Sequence, residues 1–168
     1  MLFRSVFALF NAVGRPLFGW LADRLSPRTA AVINLSIIVV MSLAMLCAGE
    51  NTTTLYVVAF AGFWLCLGGW LAIAPAATAT FFGMRHYSRN YGTIFFAYGL
   101  GAILGGVISG HAKDMFGSYT YAFYPTAGLA LAGIAIAILF LDRGAEINPA
   151  ASPTDGRPGM TAGSAPAR

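Results

Sequence analysis

Charge is scarce in this chain: 10% of its 168 residues are Asp, Glu, Lys or Arg, against 58% hydrophobic residues. Soluble domains carry about 25% charged residues, and a chain this poor in charge could not cover a surface in water. Mean hydropathy is +0.71. The composition excludes an ordinary soluble domain and places the chain in lipid. Cysteine is nearly absent. Cys47 and Cys66 both fall inside apolar segments and read as small buried hydrophobes, not as a disulfide or a metal pair. His86 lies in a loop and His111 near a helix end; with no His/Cys cluster at ligand spacing, each reads as solvated, and no metal or cofactor is expected. The sequence also lacks a P-loop, an HExxH pair and a nucleophilic serine with a base at a family-like spacing. No catalytic residue is assigned and no enzyme is expected. The run Gly99-Leu-Gly-Ala-Ile-Leu-Gly105 sits inside an apolar span with no preceding strand, so it is not a dinucleotide loop.

What is present is a series of long apolar runs. About 20 residues are needed to cross a bilayer, and five segments reach that length: Met1 to Ala22, Thr29 to Ala48, Thr54 to Phe82, Asn90 to Ala112 and Tyr119 to Leu141. The expected fold is an all-α membrane protein. Residues 1–141 form the transmembrane bundle. Residues 142–168, rich in Pro, Gly, Ala, Ser and Thr, form a disordered cytoplasmic tail. The third segment is long and is expected to tilt or bend at Pro75. The first is too long for a leader's apolar core and ends in a basic turn, so it is not expected to be a cleaved leader.

The loops set the orientation. Ten Lys and Arg against six Asp and Glu give a net charge of +4, which in a soluble chain would raise nucleic acid as a partner. Here the basic residues sit in short loops and record membrane orientation instead. Asp23, Arg24 and Arg28 lie in loop one, and Arg85 and Arg89 in loop three. Loop two, Gly49 to Thr53, has Glu50 and no basic residue. Loops one and three and the C-terminal tail are therefore expected in the cytoplasm, with the residues near Met1 outside. An integral protein of a bacterial inner (plasma) membrane fits this pattern. A first helix entering from outside is an odd arrangement for a complete transporter, which makes the chain the expected C-terminal part of a longer one.

Three groups of residues invite a functional reading. Gly101 and Gly105, and Gly106 and Gly110, are each four apart in the fourth segment, a spacing that lets helix backbones approach closely in lipid. It serves either plain packing or a helix that slides during a conformational cycle. Arg15 lies about 10 Å inside the first segment at 1.5 Å per residue. A charge near mid-membrane costs at least about 2.5–3.5 kcal/mol, and no span holds an acidic residue to pair with it. It either binds a substrate anion, or snorkels to the surface or to carbonyls freed by Pro16. Trp64 and Trp70, with Tyr91, Phe95 and Tyr98, supply aromatic surface. Phe95 and Tyr98 share a helix face, and the Tyr98 hydroxyl needs a hydrogen-bond partner. Tyr91, nearer the edge, reads as an interfacial anchor.

The stretch Gly19-Trp-Leu-Ala-Asp23-Arg24-Leu-Ser-Pro-Arg28 resembles the major facilitator loop motif G-x-x-x-D-[RK]-x-G-[RK]. Gly19, Asp23 and Arg24 fit, Arg28 stands one place late, and Ser26 takes the usual glycine position. The motif follows the second and eighth helices in that superfamily. Four spans remain here, so the resemblance implies helices 8–12 of a twelve-helix fold. Phe82-Gly83, Asn90-Tyr91-Gly92, Ala97-Tyr98-Gly99 and Asn11 to Pro16 resemble the oxalate/formate antiporter branch, with monocarboxylate porters the nearest competitor.

The resemblance implies transport of small organic anions by alternating access. Arg15 matches that branch's anion-binding arginine, and Tyr98 stands at its lysine position. One cation instead of two suits a monocarboxylate such as formate better than oxalate. Phe95 and Trp70 would line the pocket, and Gly19, Asp23, Arg24 and Arg28 would form the conformational loop motif. The partners implied are a small carboxylate anion, the lipid bilayer and a missing N-terminal half, without nucleic acid. The competing reading is a non-transporting integral membrane partner or scaffold.

Overall fold

The computed structural model describes residues 2–48 and 53–147; most of loop two and the tail from residue 148 lie outside the described residues. Five α-helices follow one another: α1 (Leu2–Arg24), α2 (Pro27–Leu46), α3 (Thr53–Phe82), α4 (Tyr87–Phe116) and α5 (Phe123–Ile147), with a short 3-10 turn at Tyr119–Ala122 before α5. No strand interrupts them among the described residues. The apolar runs expected from the sequence and the helices coincide within a few residues at most ends. Pro75 stands inside an unbroken α3.

Local chemistry sets the ends. Ser26 caps α2: its hydroxyl oxygen accepts the Thr29 amide at 3.1 Å, and Pro27 fills the first helical position, where a missing N–H costs nothing. Gly117 ends α4 in the left-handed region at φ 70 and donates to Lys113 O at 2.8 Å, a conformation glycine adopts without a Cβ clash. The Ser118 oxygen then accepts from the Thr120 amide at 3.2 Å and starts the 3-10 turn.

Two expectations change. Among the described residues, four helical segments are long and apolar enough to cross a membrane: Pro27–Leu46, Thr53–Phe82, Tyr87–Phe116 and Tyr119–Leu141. The first expected span, α1, is not among them, because Arg4, Asn11 and Arg15 interrupt its apolar run. The fifth helix also runs on to Ile147, past the expected boundary between bundle and tail at Leu141.

The bundle is built around α3. α1 packs along one side of it and α2 along another, and α2 carries α5 on its far side. Phe18, Ala22, Ala30, Ala31 and Ile73 form the buried cluster where α1, α2 and α3 meet. In lipid this core cannot be held by the hydrophobic effect, so it depends on close contact and interhelical hydrogen bonds. α4 has no buried residue. It meets α3 in a limited contact and the 3-10 turn at its far end.

Candidate functional site

The tightest contact in the bundle is between α1 and α3. Gly14 lies against Leu65, where an added Cβ would collide with the carbonyl oxygen, and Gly68 lies against the Asn11 carbonyl in the same way. The two contacts are reciprocal, a small residue of each helix facing a backbone carbonyl of the other. Asn11 Nδ2 adds a bond to Trp64 O at 3.3 Å. One turn deeper, Gly69 makes room for the Asn34 amide and the Phe18 ring. Asn34 is fully buried. Its Nδ2 donates to Cys66 O at 3.1 Å, and the Cys66 thiol donates to Asn34 O at 3.6 Å. Asn34 Oδ1 and Ser42 Oγ are buried without a hydrogen-bond partner among the described residues. Of these positions the sequence reading names Cys66, Trp64 and the stretch from Asn11 to Pro16, but none of them as a helix contact, and it does not name Asn34, Gly68 or Gly69. The available signal was the series Gly62, Cys66, Gly69 and Ile73, small or buried residues on one face of α3 at helical spacing.

The glycines singled out beforehand sit elsewhere. An added Cβ at Gly101, Gly105, Gly106 or Gly110 meets nothing within 4 Å. Among the described residues, no helix approaches that face of α4.

Three of the four expected substrate residues come together. Trp70 from α3 and Phe95 and Tyr98 from α4 line one cavity, with Leu71, Ala74, Tyr91 and Ile94 completing the wall. An aromatic ladder runs down α4 into it: Tyr87–Tyr91, Tyr91–Phe95 and Phe95–Tyr98, with ring centroids 5.6, 5.7 and 5.6 Å apart. Tyr91 therefore belongs to the cavity and is half-buried. The Tyr98 hydroxyl has no hydrogen bond among the described residues. Arg15 is not among the cavity's lining residues. It is exposed on α1, with no hydrogen bond or ion pair among the described residues.

The loop motif divides into two arrangements. Arg24 lies over the Trp20 ring at 5.7 Å, a cation–π contact between exposed side chains. Arg28 reaches across the bundle and donates to Ile138 O on α5 at 3.2 Å. Asp23 is exposed, and an added Cβ at Gly19 would rest against Ala72 at 3.8 Å. The expected pair of buried cysteines is half met: Cys66 is buried, whereas Cys47 is exposed because it caps the end of α2 beyond its last packed turn.

The family model of the Major Facilitator Superfamily matches residues 2–165. The chain is 30% identical over 99 residues to the uncharacterized MFS-type transporter YhjX of Escherichia coli (strain K12), covering 59% of this chain and 24% of that protein. It is 29% identical over 135 residues to monocarboxylate transporter 13 of Rattus norvegicus, covering 80% of this chain and 31% of the relative. It is 30% identical over 137 residues to multidrug resistance protein MdtG of Serratia proteamaculans (strain 568), covering 82% and 32%. The chain thus spans 24–32% of the length of these three relatives. No solved structure gives a significant match.

Proposed function

The chain belongs to the Major Facilitator Superfamily, and on that premise we propose that it is part of a secondary transporter for small organic anions. The substrate is a monocarboxylate such as formate or, less well matched, an oxalate-type acid, carried by exchange in an antiporter cycle of alternating access. The observation that carries this reading is Arg15. It is a guanidinium well inside α1 with no ion pair or hydrogen bond among the described residues. In this reading α1 crosses the bilayer as the eighth helix despite its polar residues, and a cation at its middle then requires a compensating anion or water, of which a carboxylate substrate supplies the first. The likeness to rat monocarboxylate transporter 13 supports the same class.

In this reading Tyr98, Phe95 and Trp70 contact the substrate, and Gly19, Asp23, Arg24 and Arg28 govern the conformational change at the cytoplasmic side. The helices correspond to 8–12 of a twelve-helix fold. The complementary half supplies the opposite wall of the translocation path. Gly101, Gly105, Gly106 and Gly110 give a helix outside this chain a surface on which to pack. The C-terminus is cytoplasmic, in a bacterial inner membrane.

The test is carboxylate uptake by the transporter containing these helices. Arg15→Gln is expected to abolish uptake while leaving the amount of protein in the membrane unchanged. Leu139→Ala, at a residue 62% exposed on α5, is expected to leave uptake intact. Equal losses from the two changes overturn the assignment. This chain alone in proteoliposomes is expected to show no carboxylate flux, and flux from it alone refutes the need for a second half.

A further inference from the structure

The cavity between α3 and the first half of α4 has a size and a chemistry that say more about the substrate than its charge does. Its volume is about 130 Å³. Its wall is built from Trp70, Leu71 and Ala74 on one side and Tyr91, Phe95 and Tyr98 on the other. No charged side chain lines it. The Tyr91–Phe95 and Phe95–Tyr98 ring pairs are tilted by 50° and 40°, so edges as well as faces are presented along the α4 wall.

Two physical arguments narrow the occupant. An apolar cavity of about 150 Å³ accepts a benzene molecule, so the space here matches one six-membered ring. A bare carboxylate such as formate would leave most of it empty. It would also give up its water to a wall of carbon, which is unfavourable for an ion without a partner. A carboxylate group therefore belongs at the mouth and an apolar group inside. The lining is almost entirely carbon, so Tyr98 meets the cavity through its ring and the carboxylate keeps its water at the mouth.

We infer that the α3–α4 cavity is a specificity pocket for the ring of an aryl- or arylalkyl-monocarboxylate. Tyr91 and Leu71 are specificity-determining residues alongside Trp70, Phe95 and Tyr98. This rests on the monocarboxylate class proposed above and puts a ring-bearing acid in the place of formate. The ring enters between Trp70 and the α4 ladder, where aromatic contacts form at no cost in hydrogen bonding, and the charge remains outside.

The chain has three tryptophans. Changing Trp20 and Trp64 to Phe leaves Trp70 as a reporter in the cavity wall. The protein in lipid nanodiscs is titrated with phenylacetate, acetate and benzyl alcohol while Trp70 emission is followed. Phenylacetate is expected to give a saturable change, half-complete at a concentration at least tenfold below that of acetate. Ala74→Phe, which fills the cavity, is expected to remove the response. Leu71→Ala, which enlarges it, is expected to move the preference from phenylacetate to 2-naphthylacetate, a gain that misfolding cannot produce. Equal half-saturation by acetate and phenylacetate overturns the ring pocket and leaves the carboxylate reading standing. Benzyl alcohol equalling phenylacetate overturns the inference through the carboxylate reading on which it rests. No response to any compound overturns the pocket directly.

Discussion

Replacing Gly14 by alanine should loosen the bundle far more than the same change at Gly105, although both glycines lie in helix interiors. The new methyl at Gly14 would strike the Leu65 carbonyl oxygen, with the Gly69 amide nitrogen 3.2 Å away. Both obstacles are backbone and cannot rotate aside. Overpacking of this kind costs about 1–3 kcal/mol. Parting the helices also stretches the Asn11–Trp64 bond, and such interhelical bonds average about 0.6 kcal/mol. Alanine gains about 0.8–1.0 kcal/mol over glycine in a helix interior. That gain is common to Gly105, where an added methyl meets nothing within 4 Å. It cancels in the comparison, and the difference between the variants is the cost of the crossing, about 1.6–3.6 kcal/mol. Reversible unfolding by SDS in mixed micelles, followed by far-ultraviolet circular dichroism, measures it. Gly105→Ala should unfold at or slightly above the wild-type SDS fraction and Gly14→Ala well below it. Coincident midpoints, or a larger loss at Gly105, would refute the α1–α3 crossing as the tight contact.

Asn34→Leu removes a buried oxygen without a partner, a relief of about 1–3 kcal/mol, and loses one bond to Cys66 O worth about 0.6 kcal/mol. The variant should be more stable in the same SDS titration, and a lower midpoint would mean that the Oδ1 atom is satisfied. Arg28→Leu deletes the bond to Ile138 O and should cost about 1–2 kcal/mol, with the loss visible as faster proteolysis near the end of α5; unchanged proteolysis counts against that tie. N-ethylmaleimide should label Cys47 in the folded protein and Cys66 only after denaturation, given their exposed and buried positions; equal labelling rates would contradict the α2–α3 packing. If charge count sets specificity, Tyr98→Lys in the transporter containing these helices should shift competition in the uptake assay from monocarboxylates toward a dicarboxylate.

The helices were legible because their signals are local. Apolar length gave the segments, and the caps at Ser26-Pro27 and Gly117, which the sequence reading did not use, are local signals of the same kind. The association of Trp70 with Phe95 and Tyr98 was legible only through family resemblance, since nothing in the spacing of two separate helices says that they face each other. The glycines show the limit. Gly101 and Gly105 have the spacing of a packing motif, yet no neighbour among the described residues reaches them. Gly14 and Gly68 have no such repeat and carry the closest approach. Spacing describes one helix surface, whereas packing depends on which second surface arrives. Asn11 and Asn34 were missed for the same reason: each finds its carbonyl on α3, 53 and 32 residues away.

The Arg28–Ile138 bond joins residues 110 apart in the sequence, which bears on how the chain is assembled. Chains grow at about 5–20 residues per second, so about 5–20 s separate the synthesis of the guanidinium from that of its acceptor. α1, α2 and α3 can close their glycine crossings in that interval, while the turn between α1 and α2 is still untied from α5. Arrival of α5 beside α2 then fixes the turn. The later helix α5 thus locks the earlier α1–α2 hairpin, and a chain truncated within α5 would keep its glycine crossings but lose its latch.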